Sequence, residues 1–198
     1  MSELYHEGQR GLQDRFDTER LADALEERIV HDTFTDSDRD IIERLPMFFL
    51  ATVDADGHLN CSYKGGVPGF VRVVESDTIA FPSYDGNGMF LSMGNISQTG
   101  EVGMLFIDFE QQSRLRVNGE ASIDFDDPLA DTFPEAQFIV RVKAREILFN
   151  CPRYIHKMEL VEQSRYAPDD DHETPIAEWK QSERVRDLLP ANDPARQS

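Results

Sequence analysis

The sequence predicts a mainly β (α+β) fold: an antiparallel barrel of six or seven strands, with helices before it, one helix inserted in it and helices after it. Three observations support this prediction. Apolar residues alternate with a period of two from Met47 onward, which is typical of strands. Short turn sequences separate the apolar runs. Only one helical segment interrupts them, whereas a parallel sheet would need a crossover helix after each strand.

Residues 1–45 predict a helical extension before the barrel. Their apolar residues recur roughly every 3.6 residues and predict one stripe along a helix, formed by Leu12, Phe16, Leu21, Leu25 and Ile29. A second helix is expected to begin at Thr35 or Asp36, either of which can cap it, and to end at Pro46. Thirteen acidic and six basic residues in this stretch predict a solvated acidic surface.

Residues 46–160 contain the predicted strands. The first two form a hairpin around the turn at residues 54–57, where Gly57 can adopt a positive φ. Residues 70–74 and 78–81 form a second pair of strands. The inserted helix begins after Gly88 and ends at Gly100, and its apolar residues at helical spacing are Met89, Phe90, Met93 and Ile96. Three further strands are expected over residues 102–107, 114–123 and 137–149.

Helices and a tail are expected after the barrel. A short helix is predicted over residues 153–160, directly after Cys151 and Pro152. Beyond Tyr166 the chain is charged and rich in proline, and it predicts a weak helix over residues 176–189 and a mobile tail after it. The chain is therefore divided into a helical extension (1–45), a barrel domain (46–160) and a C-terminal helical segment with a tail (161–198).

The composition excludes several kinds of partner. The 198 residues include 38 acidic and 20 basic ones, a net charge of −18, whereas nucleic acids and anionic membranes attract clustered positive charge. Cys61 and Cys151 are too far apart in sequence for a metal knuckle, and we predict no metal site. Because no secretory signal and no apolar run of about 18 residues is present, a cytoplasmic protein without a membrane span is expected.

Three polar residues on one strand are candidate ligand-binding groups. Asn60, Ser62 and Lys64 alternate along the strand and therefore share one of its faces. Three polar side chains seldom point into a dry core, because unpaired buried polar groups are costly. On this strand alone, exposure of the face to solvent is the simpler explanation.

Two more segments, considered with that strand face, indicate a candidate pocket. The sequence Gly86-Asn87-Gly88 leads into the inserted helix, whose first N–H groups favour an anion. Arg114 and Arg116 place two cations on one face of another strand, in a chain with few cations. Taken together with the polar strand, these segments predict a pocket for a phosphorylated, partly flat ligand.

The order of these segments resembles the pyridoxamine 5'-phosphate oxidase-like family, whose fold is the FMN-binding split barrel. The resemblance covers about residues 42–158 and rests on the sequences SYKGG, PGFVRV, FPSYDGN, LRVNG and FNCPRYIHK in this order. This combination is most similar to an uncharacterised branch of FMN-dependent enzymes. The resemblance implies a six- to seven-stranded antiparallel split β-barrel and an FMN held at the interface of a homodimer.

The resemblance also assigns roles to individual residues. It implies that Lys64 meets the FMN phosphate or ribityl chain, with Ser62 and Tyr63 beside it. Asn87 falls where pyridoxamine oxidases carry a basic phosphate-binding residue, which weakens the phosphate site here unless Lys64 or an arginine compensates. The other positions that the resemblance implies for cofactor binding are Phe81, Pro82, Ser83, Arg114 or Arg116, and Arg153. Arg153 belongs to a late segment that approaches the flavin, either in the same subunit or from the partner subunit.

The function implied is an FMN-dependent oxidoreductase that acts on an unknown small molecule, with NAD(P)H as a candidate reductant. A vitamin B6 substrate is disfavoured because Leu59 replaces the arginine of true pyridoxamine oxidases, and no match to their C-terminal dimerisation segment follows Leu160. No catalytic acid or base stands out. The alternative is a non-catalytic flavin-binding or stress-response module. A third possibility is a binder of haem or deazaflavin, with His58 or His156 as the iron ligand.

Overall fold

The computed structural model describes residues 4–197. The helices are α1 (Glu7–Arg15), α2 (Glu19–Ile29), α3 (Asp36–Arg44), α4 (Leu91–Thr99), α5 (Glu183–Arg186) and α6 (Pro194–Gln197). The strands are β1 (Val30–His31), β2 (Met47–Val53), β3 (Leu59–Gly65), β4 (Arg72–Val73), β5 (Thr78–Ser83), β6 (Glu101–Asp108), β7 (Ser113–Asp124) and β8 (Phe138–Phe149). Single 3-10 turns lie at Pro128–Thr132 and Glu178–Gln181.

The strands form one antiparallel sheet that does not close, which confirms the predicted α+β split-barrel class. The strand order is β3-β2-β6-β7-β8-β5-β4, so that β3 and β4 are its edges. The described residues contain eight strands rather than six or seven, because the short β1 pairs with β8. The hairpin turn between β2 and β3 matches the prediction, since Gly57 has a φ of 85°.

The barrel core is built around phenylalanine. Phe48 is completely buried, and its ring lies 5.1 Å from the ring of Phe81 and 5.2 Å from that of Phe106. The inserted helix α4 packs on β2, where Asn95 Nδ2 donates to Thr52 Oγ1 at 3.1 Å. Gly100 ends this helix with a φ of 71°, as its position predicts.

The N-terminal extension differs from the prediction of one apolar stripe. Asp17 has a φ of 53° and separates α1 from α2. Leu12 and Phe16 are 61% and 69% exposed, so the stripe does not pack against the barrel in the described residues. The capping prediction for the helix before Pro46 is correct, because Thr35 caps α3: the Asp38 N–H donates to Thr35 Oγ1, and the Thr35 N–H donates to the Asp38 carboxylate.

The C-terminal predictions were largely wrong. Residues 153–160 form no helix, because their backbone bonds to the barrel instead: the N–H of Met158 donates to the carbonyl of Phe109. The expected helix over residues 176–189 is broken into a 3-10 turn and the short α5. The expected tail folds back, with Asp193 and Ala195 buried. Among the described residues, no helix is long and apolar enough to cross a membrane.

Candidate functional site

A cavity of about 670 Å³ lies beside the edge strand β3. The inner face of β3 forms one wall, and the end of β5, the loop after it and the start of α4 form the next. The C-terminal segment closes the remaining side with residues that include Trp179, Lys180 and Leu189. We call this the β3 cavity. Its volume falls within the roughly 300–1,000 Å³ that is typical of small-molecule sites.

The polar face of β3 lines this cavity through Asn60, Ser62 and Lys64. In the strand register Ser62 lies opposite Leu50 and Lys64 opposite Phe48, and both of these partners are buried in the core. The polar side chains therefore lie on the inner side of the sheet. They escape the dry core because β3 is an edge strand, and Ser62 Oγ is 3.0 Å from Ser92 Oγ at the start of α4.

Lys64 is the cation of this wall. Among residues 4–197 its ammonium group has no hydrogen-bond or ion-pair partner, and burial lowers the pKa of this group. Desolvation of an unpaired charge is unfavourable, so an anion that enters the cavity would relieve it. This is the electrostatic signature of an anion-binding position.

The start of α4 adds backbone donors to the same cavity. Phe90 precedes the helix with a φ of 48° and provides no side-chain cap, so the first N–H groups of α4 lack that partner. Ser83 lines the cavity from the end of β5, and Asn87 lines it from the following loop, where its Oδ1 accepts from the N–H of Met89 at 3.0 Å. Free N–H groups and the helix dipole favour a bound anion.

The C-terminal wall contains the buried Lys180, which forms two ion pairs. Lys180 Nζ donates to Asp85 Oδ2 at 2.5 Å and to Asp193 Oδ2 at 2.8 Å. Burial lowers the pKa of Lys180, but the hydrogen bonds to Asp193 and Asp85 outweigh it and raise the pKa overall. The hydrogen bond from Lys180 holds the pKa of Asp193 below its usual value. Both shifts favour the charged forms of Lys180 and Asp193.

Tyr84 lines the cavity from the loop directly after β5 and is half-buried. Burial raises the pKa of its phenol to about 12, so the hydroxyl stays protonated at neutral pH. Among the described residues this hydroxyl makes no hydrogen bond, which leaves it available to donate to a ligand. No histidine or cysteine of the described chain lines the cavity.

The structure brings only some of the sequence-predicted residues together. Five of them line the β3 cavity, namely Asn60, Ser62, Lys64, Ser83 and Asn87. Tyr63 lies on the opposite face of β3 and lines a separate cavity of about 610 Å³. Phe81 and Pro82 are buried where β5 pairs with β8.

The predicted arginines do not reach the β3 cavity within one chain. Arg116 lies opposite Leu105 in the strand register and is exposed on the outer face of the sheet, and Arg114 shares this face. The Nε atom of Arg114 is buried without a hydrogen-bond partner among the described residues. Arg153 is exposed in the segment after β8, with its guanidinium 5.8 Å from the ring of Tyr154.

Sequence reasoning missed the C-terminal wall. Lys180 and Trp179 lie in a segment predicted only as a weak helix, and no motif connects them to the barrel. Tyr84 stands inside the FPSYDGN sequence, but its burial could not be inferred from local pattern. A cation in an acidic, proline-rich segment was the one available signal, and it was not specific.

An open antiparallel barrel thus places a half-buried lysine and an uncapped helix start at one cavity, an arrangement whose chemistry suits a small anionic molecule. The sequence model of the family described as pyridoxamine 5'-phosphate oxidase matches residues 34–171. The chain belongs to this family, which confirms the resemblance seen in its sequence. No curated protein matches it significantly.

Solved structures with a similar fold include three bacterial proteins. HupZ from Group A Streptococcus is 20% identical over 58% of this chain and 91% of its own, with a TM-score of 0.47. An FMN-binding protein from Syntrophomonas wolfei is 18% identical over 71% of this chain and 98% of its own, with a TM-score of 0.46. The haem storage protein HutZ from Vibrio cholerae is 16% identical over 57% of this chain and 92% of its own, with a TM-score of 0.43.

Proposed function

We propose that this protein binds FMN in the β3 cavity and is an FMN-dependent oxidoreductase for a small molecule. The observation that carries this proposal is the unpaired, half-buried Lys64 beside the uncapped start of α4. A flavin phosphate would satisfy both groups, because charge-assisted hydrogen bonds are the strong ones. Family membership makes FMN the first candidate among phosphorylated ligands.

The residues present fit this cofactor. The phosphate would be held by Lys64, Ser62 and the N–H groups of α4. Because Asn87 stands where related oxidases carry a basic residue, Lys64 is the unpaired cation of the site. FMN, when bound, supplies the hydride and electron transfer chemistry. Tyr84 keeps its proton at the cavity wall and can donate a hydrogen bond to the cofactor or the substrate. NAD(P)H is the proposed reductant, and the cytoplasm is the proposed location of the protein.

We place the functional unit in a homodimer. The outer face of the sheet carries half-exposed apolar side chains, including Phe49 on β2 and Leu105 on β6. Arg114 and Arg116 lie on this same face. A second copy packed on it would cover this apolar surface and meet the two arginines. The arginine pair would then serve the cofactor site of the partner subunit.

A second candidate, flavin binding without turnover, is favoured by one observation. Both acids that line the cavity, Asp85 and Asp193, are already paired with Lys180, which leaves no carboxylate free to act as a general base among the described residues of the lining. A haem ligated by histidine finds no support in this cavity, since His58 is bonded to Asp54 in the exposed hairpin turn and His156 is exposed elsewhere.

The test is an absorption titration of the purified full-length protein with FMN and, in parallel, with haem. We expect flavin bands that remain after gel filtration, at one FMN per chain, and no stable haem complex. Anaerobic addition of NADH or NADPH should then bleach the flavin bands. Retention of FMN without reduction by either nucleotide would favour the binding module. Failure to retain FMN at all would refute the proposal.

A further inference from the structure

Residues 178–193, which we call the strap, cross one side of the β3 cavity. The strap consists of the 3-10 turn Glu178–Gln181, the short helix α5 and an end made of turns. Trp179, Lys180 and Leu189 line the cavity from it. No other part of the C-terminal segment forms a wall of this cavity in the described chain.

The strap has one polar attachment to the barrel. Within residues 4–197, the Lys180–Asp85 ion pair is the only hydrogen bond or ion pair that joins the strap to the barrel strands and their loops. Its other hydrogen bonds remain inside the C-terminal segment, such as that between Lys180 and Asp193. The two residues of the attachment are 95 positions apart in sequence.

The attachment is asymmetric in burial. The Lys180 side chain is 7% exposed and that of Asp193 is 6% exposed, whereas that of Asp85 is 62% exposed. Loss of the Asp85 carboxylate would therefore leave the buried Lys180 still neutralised by Asp193. The strap could separate from the barrel without leaving an unpaired charge in its own interior, which is the main cost of breaking a buried pair.

We propose that the strap is the closing wall of the cofactor site and that Lys180, through Asp85, is the positioning residue that keeps it closed. This inference rests on the proposed binding of FMN in the β3 cavity. The strap brings the indole of Trp179 and the buried side chain of Leu189 to the cavity, and these are the apolar surfaces that a flat ring needs. Opening of the strap is then the step that admits and releases FMN.

The test compares Asp85→Asn with Asp187→Asn in the full-length protein. Asp187 is an exposed carboxylate on the strap without an ion pair, so it is the matched control. Trp179 is the single tryptophan of the chain, and its fluorescence reports the strap alone. We expect Asp85→Asn to raise quenching of Trp179 by acrylamide about twofold in the ligand-free protein, as local opening of a packed segment would.

The second measurement is release of FMN from the loaded protein. We expect the dissociation rate to rise about fivefold in Asp85→Asn, because the amide oxygen can still accept from Lys180 but the attraction between the two charges is lost at an exposed carboxylate. The control should match the wild type in both measurements, and the thermal midpoint of the ligand-free protein should be unchanged in both variants.

Three outcomes would contradict parts of this reasoning, and they are distinguishable. Unchanged quenching in Asp85→Asn would show that the ion pair does not hold the strap. Raised quenching with unchanged FMN release would show that the strap does not close the cofactor site. A wild-type protein that binds no FMN would refute the proposed function, while the quenching comparison would still decide whether Lys180 positions the strap.

Discussion

Replacement of Lys64 by methionine should weaken FMN binding and stabilise the ligand-free protein. Methionine keeps most of the length of the side chain and removes its charge. Lys64 would donate a charged hydrogen bond to the phosphate, and such bonds contribute about 1.5–3 kcal/mol, which corresponds to a rise in Kd of about 10- to 150-fold. The first N–H groups of α4 would remain and preserve residual binding.

The stability effect has the opposite sign for a physical reason. Burial lowers the pKa of Lys64 in the folded protein, so its charged form is penalised by folding at neutral pH. This penalty is present below the folded pKa and disappears as the pH rises above the pKa of the unfolded chain. Lys64→Met should therefore raise the free energy of unfolding of the ligand-free protein at neutral pH, and less so at high pH.

The assays are isothermal titration with FMN and urea unfolding without it. Lys143→Met is the control, because it makes the same chemical change at an exposed lysine whose ion pair with Asp77 spans 3.4 Å at the surface. A Kd for FMN within about twofold of the wild type in Lys64→Met would refute the assignment of Lys64 to the phosphate, since one charged hydrogen bond exceeds that change.

Three further predictions concern other sites. Tyr84→Phe should leave FMN binding nearly unchanged but slow flavin reduction or turnover, measured by stopped-flow. The pH profile of the wild-type rate should have no inflection from Tyr84 near neutral pH, because burial raises the pKa of its phenol to about 12. Thr35→Ala removes the cap of α3 and should lower the free energy of unfolding by about 1 kcal/mol in urea, more if Asp38 loses its partner. The hydrogen bond from Arg141 lowers the pKa of Asp127, so this pair stabilises the fold at neutral pH. Its contribution to the free energy of unfolding is lost as the pH falls through that lowered pKa. Acid unfolding of Asp127→Asn should therefore show a smaller decrease in the free energy of unfolding over this pH range than the wild type shows.

Local pattern was sufficient for most of the barrel. Alternation in β2 and β3, the glycine turn between them and the glycine that ends α4 are all local features, and the structure shows each where the sequence predicts it. The predictions after Leu160 failed because that segment has weak periodicity and several prolines. Its conformation depends on contacts with the barrel, such as the ion pair between Lys180 and Asp85, that no local window contains.

The candidate site was predictable in part for the same reason. The polar alternation of Asn60, Ser62 and Lys64 is visible in the sequence, but whether that face meets solvent, core or a cavity depends on β3 being an edge strand. Arg114 and Arg116 share a face with each other as predicted, yet the sheet register puts that face on the outside. Strand periodicity determines which residues share a face of the sheet. Whether that face is the inner or the outer one depends on how the whole sheet assembles.

The sequence by itself determined the family, the antiparallel barrel and the lysine that ends the polar strand, because each of these follows from residues close together in the chain. Only the tertiary structure decided which cations meet at the cavity. It brought Lys180 to the β3 cavity and placed the two arginines on the other side of the sheet. The physical reason is that a buried charge is tolerated where long-range packing provides a counter-charge, and Asp85 and Asp193 provide it for Lys180.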